Sequence, residues 1–244
     1  ARKHGAAPQA QADRLALALR AAELACRDGA IAAEVARATS LLTHDAARRR
    51  AAQALVAYTA AALLMPYKDF AAAARAARFD AQALARDFGV DFGAVCERMV
   101  TLRRPGAEGV PFALLRIDAA GYASRRVPLP RLALPRHGSA CPLWGVYLAL
   151  QTPGAIVRQL VEFPGGERFL MVARTIDAPG PAFPMPRRLT SLMLACDAMA
   201  ADQTVYGDGL NLASTAPAVP VGPNCRVCTR TDCAYRQEDP VIDA

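Results

Sequence analysis

Hydrophobic positions recur along this chain in two different rhythms. From Asp13 to about Leu102, Leu, Val and Phe return every three or four residues in alanine-rich surroundings, the period that gathers them on one face of a helix. The clearest segment runs from Asp45 to Leu64 and stops at Met65-Pro66, because proline lacks the N–H that a helix interior needs. "YKDFAAAARAARF", "DAQALARDFGV" and "DFGAVCERMVTL" follow. Asp80 and Asp91 each stand where the free N–H groups of a helix start want a side-chain acceptor. The pattern predicts four to six helices with short joints. The most apolar stretch, "AAQALVAYTAAALLMPY", lies between three arginines and Lys68 and reads as a buried core helix, not a membrane span.

After "RRPGAEG" the rhythm changes. "VPFALLRID" and "YASRRVPL" flank "AAG" as strand, turn and strand. A Pro-rich link, "PLPRLALPRHGSA", leads to "CPLWGVYLALQ", predicted as a short helix with Pro142 in its first turn. "AIVRQLVEF" and "RFLMVARTI" enclose a Gly-Gly turn and predict a hairpin. "RRLTSLMLAC" reads as a further strand and "DAMAADQTVY" as helix. The expected class is therefore α+β: a helical domain over residues 1–104, then a domain over 105–244 built on an antiparallel sheet of about five strands.

Composition adds context. A chain of 244 residues, 53% hydrophobic, can bury a good core. It opens "ARKHGAAPQA" without an initiator Met and is read as a piece of a longer protein. Its net charge of +7 comes almost wholly from arginine, which suits a phosphate-bearing cofactor or proximity to nucleic acid, and equally an arginine-rich coding bias. No signal peptide is visible. Seven scattered cysteines point to a reducing cytoplasm, where clustered thiols favour metal over disulfide.

Three of those cysteines crowd into "NCRVCTRTDCAYR", as Cys225-x-x-Cys228-x-x-x-x-Cys233. Three thiols are one short of a structural zinc set, so a further ligand is wanted. Cys26 and Cys96 sit on apolar helical faces, where a buried inert thiol is usual. Cys196 ends a core strand at a corner near the tail and is the favoured fourth ligand. Cys141, expected at a helix start whose field lowers thiol pKa, is the alternative. Iron–sulfur clusters draw Cys thiolates from short Cys-x-x-Cys loops, but zinc accepts the same set; neither spacing nor residue type separates them. Either group would pin "TRTDCAYRQEDP", which cannot bury enough surface to order itself.

Larger segments carry a resemblance. "AAALLMPYKDF" through "DFGAVCERMVTL" is similar to the end of an ImmA/IrrE-type metallopeptidase domain. Such domains hold zinc on a His-Glu-x-x-His helix. Here only His4, His44 and His137 occur, never one turn apart, and "ADRLALALRAAEL" has apolar residues where ligands would stand. No peptidase is expected, nor any other enzyme, since no Ser-His-Asp order or phosphate-cradling Gly loop stands out. "LRRPGAEGVPFALLRIDAAGYASRR", "GSACPLWGVY", "VYGDGLNL" and "GPNCRVCTRTDCAYR", in that order, resemble the short-chain fatty acyl-CoA regulator family of bacterial transcription factors. The resemblance implies a regulator that senses a short acyl-CoA, of the acetyl to propionyl class, to control acyl-CoA (propionate) metabolism genes. It implies a four-iron–four-sulfur cluster and promoter binding by a helix-turn-helix domain outside these residues; a homo-oligomer is expected as well. The Pro-rich link and "GVYLA" depart from the family's usual pattern and bear on which acyl chain is accepted. A zinc-stapled interaction module without acyl-CoA is the other class of reading.

Coenzyme A presents phosphates and a long apolar arm, so its site needs cations and an apolar slot. The expected cations are Arg103, Arg104, Arg116, Arg125 and Arg126, with Arg136 before "HGSACPLW". Trp144 and Tyr147 would wall the acyl slot, and Tyr67 would contribute from the helical half. The expected place is the joint of the two halves, with the thioester towards "ACPLW". Tyr206 and Asp208 lie in a Gly-bearing turn that permits close backbone approach.

Overall fold

The computed structural model describes residues 8–29, 31–135, 138–178, 184–185 and 188–241. His4, Arg136 and His137 lie outside them. Contacts divide the chain into two compact units that meet in sequence at Leu102 and Arg103. Among the described residues no helix is long and apolar enough to cross a membrane.

The first unit comprises α1 (Pro8–Arg27), α2 (Ala32–Ser40), α3 (Asp45–Leu64), α4 (Tyr67–Ala76), α5 (Ala81–Phe88) and α6 (Phe92–Met99). Local chemistry sets several boundaries. Asp80 accepts from the Gln82 and Ala83 N–H groups, and Asp91 from that of Ala94, so both are N-caps. α5 ends on Gly89 at φ 61°, a conformation that glycine adopts without strain. Phe70, Leu84, Val95 and Met99 are buried, and Phe70 meets Phe88 edge to face at 5.3 Å. Arg98 is buried too: it donates to the Met65 carbonyl at 2.9 Å and lies over the Tyr58 and Tyr67 rings. A carbonyl and two π faces replace the water this cation has lost.

α3 differs from expectation. Only Ala60 on it is buried; it packs with Ala18 and Ala22, flanked by Leu19, Val56 and Leu64. Alanine makes the helix apolar on average but gives it little surface to bury, so one narrow stripe against α1 suffices.

The second unit is a six-stranded sheet in the order β2-β1-β5-β4-β3-β6. The strands are β1 (Ala113–Asp118), β2 (Ala123–Val127), β3 (Ile156–Glu162), β4 (Arg168–Ala178), β5 (Arg188–Asp197) and β6 (Val219–Pro220). The α+β class and the helical first part are as the sequence predicts. The sheet, however, is mixed: β6 runs parallel to β3, pairing Val161 with Val219, and is too short to leave a periodic signal. "DAMAADQTVY" forms 3-10 turns, Ala198–Gln203 and Val205–Gly207, in place of an α-helix.

Alternation along the strands sorts their side chains to two faces. One face carries Ala113, Leu115, Met171, Ala173, Met193 and Ala195 and is covered by α7 (Gly145–Gln151) and Trp144. The register sends Leu114, Leu170, Leu194 and Cys196 to the other face.

Candidate ligand cleft and thiol site

Cys141 does not start a helix. Its carbonyl accepts the Trp144 N–H at 3.0 Å in a turn, Trp144 stays extended, and α7 begins only at Gly145. Burial, the dominant influence, raises the Cys141 pKa instead of lowering it; the nearby Cys225 and Cys228 thiols push the same way, while backbone N–H groups of Gly222 and Leu143 at its sulfur act against them. The expected helix-field effect is thus overturned by desolvation.

The turn brings Cys141 to the tail. Its N–H donates to the Pro223 carbonyl at 3.1 Å, and the Trp144 indole N–H donates to the Gly222 carbonyl at 2.9 Å. From there the chain enters a 3-10 turn, Cys225–Val227, whose Val227 N–H is accepted by the Asn224 side chain. Cys141, Cys225, Cys228 and Cys233 line one small cavity. A Cβ on Gly222 would stand 2.5 Å from the Cys228 sulfur, so only glycine lets backbone and thiol approach this closely. The Cys225 sulfur accepts the Gln237 N–H at 3.4 Å. Among the described residues no three His, Cys, Asp or Glu side chains converge as they would around a single ion. The donor set is all thiol, the chemistry of zinc and iron–sulfur sites.

Cys196 stands elsewhere. It lies on β5, two strands from the β3 edge where the tail returns, and on the sheet face opposite Ala195. Burial, with Asp197 and Asp202 adding to it, pushes its thiol up to about 12. Nearness in sequence to the tail does not become nearness in space, because β4 and β3 lie between. Cys26 and Cys96 are buried in the helical unit.

A larger cleft of about 1140 Å³ adjoins the thiols, and Pro142, Asn224 and Cys225 line both cavities. Leu132, Leu134, Pro135, Ser139 and Tyr147 form one side; Arg226, Val227, Gln237, Glu238 and Val241 form the other. The Tyr147 hydroxyl accepts the Ala140 N–H at 2.9 Å, and burial raises its pKa. Of the Pro-rich link, Pro128 and Leu132 to Pro135 are therefore wall.

The expected cations are scattered. Strand register puts Arg126 on the α7 side, where it lines the cleft and donates to the Pro135 carbonyl; Arg116 and Arg125, paired with each other, face the opposite way. Arg103 donates to the Phe112 and Pro128 carbonyls, Arg104 is exposed, and neither lines the cleft. Trp144 is fully buried in the core against Phe163, leaving Tyr147 as the aromatic of the wall. Tyr67 sits on α4 against Arg98. The Tyr206 and Asp208 carbonyls accept from Arg158. Sequence reasoning missed Arg226 and Glu238. The signal for Arg226 was its place inside the Cys-x-x-Cys loop.

Comparisons with known proteins bear on both units. Residues 101–244 match the family described as "Short-chain fatty acyl coenzyme A regulator, C-terminal", and residues 7–100 match the IrrE N-terminal-like domain. A "Propionyl-CoA carboxylase regulator" of Cereibacter sphaeroides is 41% identical over 82% of this chain and 44% of its own length. The "HTH-type transcriptional regulator PrpR" of Mycobacterium tuberculosis is 40% identical over 75% of this chain and 37% of its own. The chain spans about two-fifths of the length of these curated relatives. A solved structure titled "Mycobacterium tuberculosis transcriptional regulator" superposes with a TM-score of 0.85 at 35% identity, over 92% of this chain and 68% of that one. The relatives are named as regulators and not as enzymes. That agrees with the absence of a His-Glu-x-x-His pattern from the peptidase-like part.

Proposed function

Since the chain belongs to the short-chain fatty acyl coenzyme A regulator family, we propose that it is the sensing part of a transcription regulator of short acyl-CoA metabolism. Its effector is a short-chain acyl-CoA of the acetyl to propionyl class, bound in the cleft of the second unit. The observation that carries this reading is the cleft itself: large enough for most of a coenzyme A, apolar along Leu132, Leu134 and Val241, and cationic at Arg126 and Arg226. DNA contact in the whole protein is made outside these residues. Ligand binding biases one of two arrangements, and a coupling of about 1–3 kcal/mol changes promoter occupancy severalfold or more.

Cys141, Cys225, Cys228 and Cys233 fit a four-iron–four-sulfur cluster. The donor set supports this reading: four thiols line one cavity, and such a cluster takes each thiolate through an iron of its own. Such a cluster supplies a covalent staple and a redox-active centre. This chain's own part is to shield the site with Pro142 and Tyr235, admit the Cys228 thiol beside Gly222, and anchor the loop through Trp144.

Calorimetry of anaerobically prepared protein with acetyl-CoA, propionyl-CoA and longer homologues tests the effector. Binding without release of free CoA is expected; no binding at any chain length would overturn the sensor reading.

A further inference from the structure

We propose that Arg226 is the guanidinium that grips the phosphates of the cleft's ligand, and that Glu238 is a carboxylate place-holder which the ligand displaces. The inference rests on reading the cleft as a coenzyme A site. Both residues line it, and their side chains form an ion pair of 3.8 Å, with 63% and 61% of the two side chains exposed. A pair this long and this wet is easily exchanged for a better anion. Phosphate is one, because the guanidinium fork can donate two parallel bonds to it.

The two partners are mounted differently. Arg226 sits in the turn behind Cys225, whose backbone is fixed by the Asn224 cap and, one residue earlier, by Cys141 holding Pro223. Glu238 sits on the tail, which reaches the turn through a few hydrogen bonds: Gln237 N–H to the Cys225 sulfur at 3.4 Å, Arg236 to the Cys225 carbonyl at 3.2 Å, and Val241 N–H to the Arg226 carbonyl at 2.8 Å. Tyr235 and Val241 in this tail remain mostly exposed, so little apolar burial holds it. The grip stands on a capped turn, whereas the place-holder stands on a tail held by a few hydrogen bonds and little apolar burial. When phosphate takes Arg226, Glu238 loses its partner and faces a like charge. The stretch Gln237–Val241, itself a wall of the cleft, then moves away, and the bond from the Val241 N–H to the Arg226 carbonyl (2.8 Å) goes with it. Ligand occupancy is thereby written into the position of the tail.

The test is a double-mutant cycle on the full chain, prepared anaerobically, with coenzyme A as the probe in calorimetry. Glu238→Gln should tighten binding about two- to fivefold, the scale of an exposed ion pair. Arg226→Gln should weaken it about tenfold or more, the scale of a charged hydrogen bond. In the Arg226→Gln background, Glu238→Gln should change nothing. Simple relief of repulsion would instead tighten binding equally in both backgrounds, and that result overturns the proposal. Protease cleavage within Gln237–Val241 should also quicken when coenzyme A is added to the parent protein. If Arg226→Gln does not fold, Arg226→Lys keeps the charge without the fork and should still weaken binding; unchanged affinity there sinks the idea. Absence of coenzyme A binding to the parent protein refutes the cleft reading and this inference together. Binding that Glu238→Gln leaves unchanged or weakens refutes this inference alone.

Discussion

Exchanging the two candidate fourth thiols separates the metal site from the sheet. Cys196 is 1% exposed on β5, and Cys196→Ala removes one heavy atom from a packed interior. The expected cost is about 1 kcal/mol, from lost transfer energy and a small void, or a fall in Tm of about 2–4 °C for a chain of this size. Iron and sulfide content, and the visible charge-transfer absorbance of anaerobic protein, should be unchanged. Cys141→Ser is nearly isosteric, yet it takes one thiolate from a set of four that line one cavity. The colour should bleach, iron should fall well below four per chain, and the stability loss should exceed that of Cys196→Ala, because the tail has little other burial to hold it. The assays are metal and sulfide analysis, absorbance, and thermal unfolding followed in sealed cells. A bleached Cys196→Ala beside a brown Cys141→Ser would refute the assignment of the fourth thiol. Colourless, folded parent protein with stoichiometric zinc would refute the cluster while leaving the thiol site in place.

Three further outcomes follow from the packing. Trp144→Phe keeps one of the two rings, leaves a small void and orphans the buried Gly222 carbonyl, and should cost about 2–4 kcal/mol with faster amide exchange around Gly222–Cys228. Asp80→Ala and Asp91→Ala each remove a helix N-cap and should each lower stability by about 1 kcal/mol in denaturant titrations, additively if the two ends act independently. The Cys196 thiol has its ordinary value of 9.0 in the unfolded chain, and burial pushes it up to about 12 in the folded one. Below pH 9 both states hold the proton and nothing changes; from there towards 12 the unfolded state alone releases it, so stability falls by about 1.4 kcal/mol per pH unit. Urea titrations between about pH 9 and 11 should show a fall steeper by about that amount in the parent protein than in Cys196→Ala, because the raised Cys141 and Tyr147 contribute alike to both; equal slopes would refute it.

What the sequence by itself determined is whatever depends on neighbours in the chain. The caps at Asp80 and Asp91, the stop of α3 at Met65-Pro66, the hairpin around "PGGE" and the α+β division all rest on contacts within a few residues. The three tail thiols were legible for the same reason, and the order of four motifs carried the family. Tertiary structure alone decided which fourth thiol joins them. Cys196 is nearer to the tail in sequence, but β6 returns beside β3 while Cys196 lies two strands away on the other face; the turn before α7 carries Cys141 to Pro223. The same holds for the arginines. Alternation tells that Arg125 and Arg126 part company, but only the packing of α7 on one face says which of them meets the cleft. Arg226 and Glu238 are 12 positions apart with no periodic signal between them, and they meet only because the tail folds back over the Cys225 turn. Local hydrogen bonds and side-chain periods are encoded within one stretch of chain, whereas a site built from three separated segments exists only once burial has chosen how they stack.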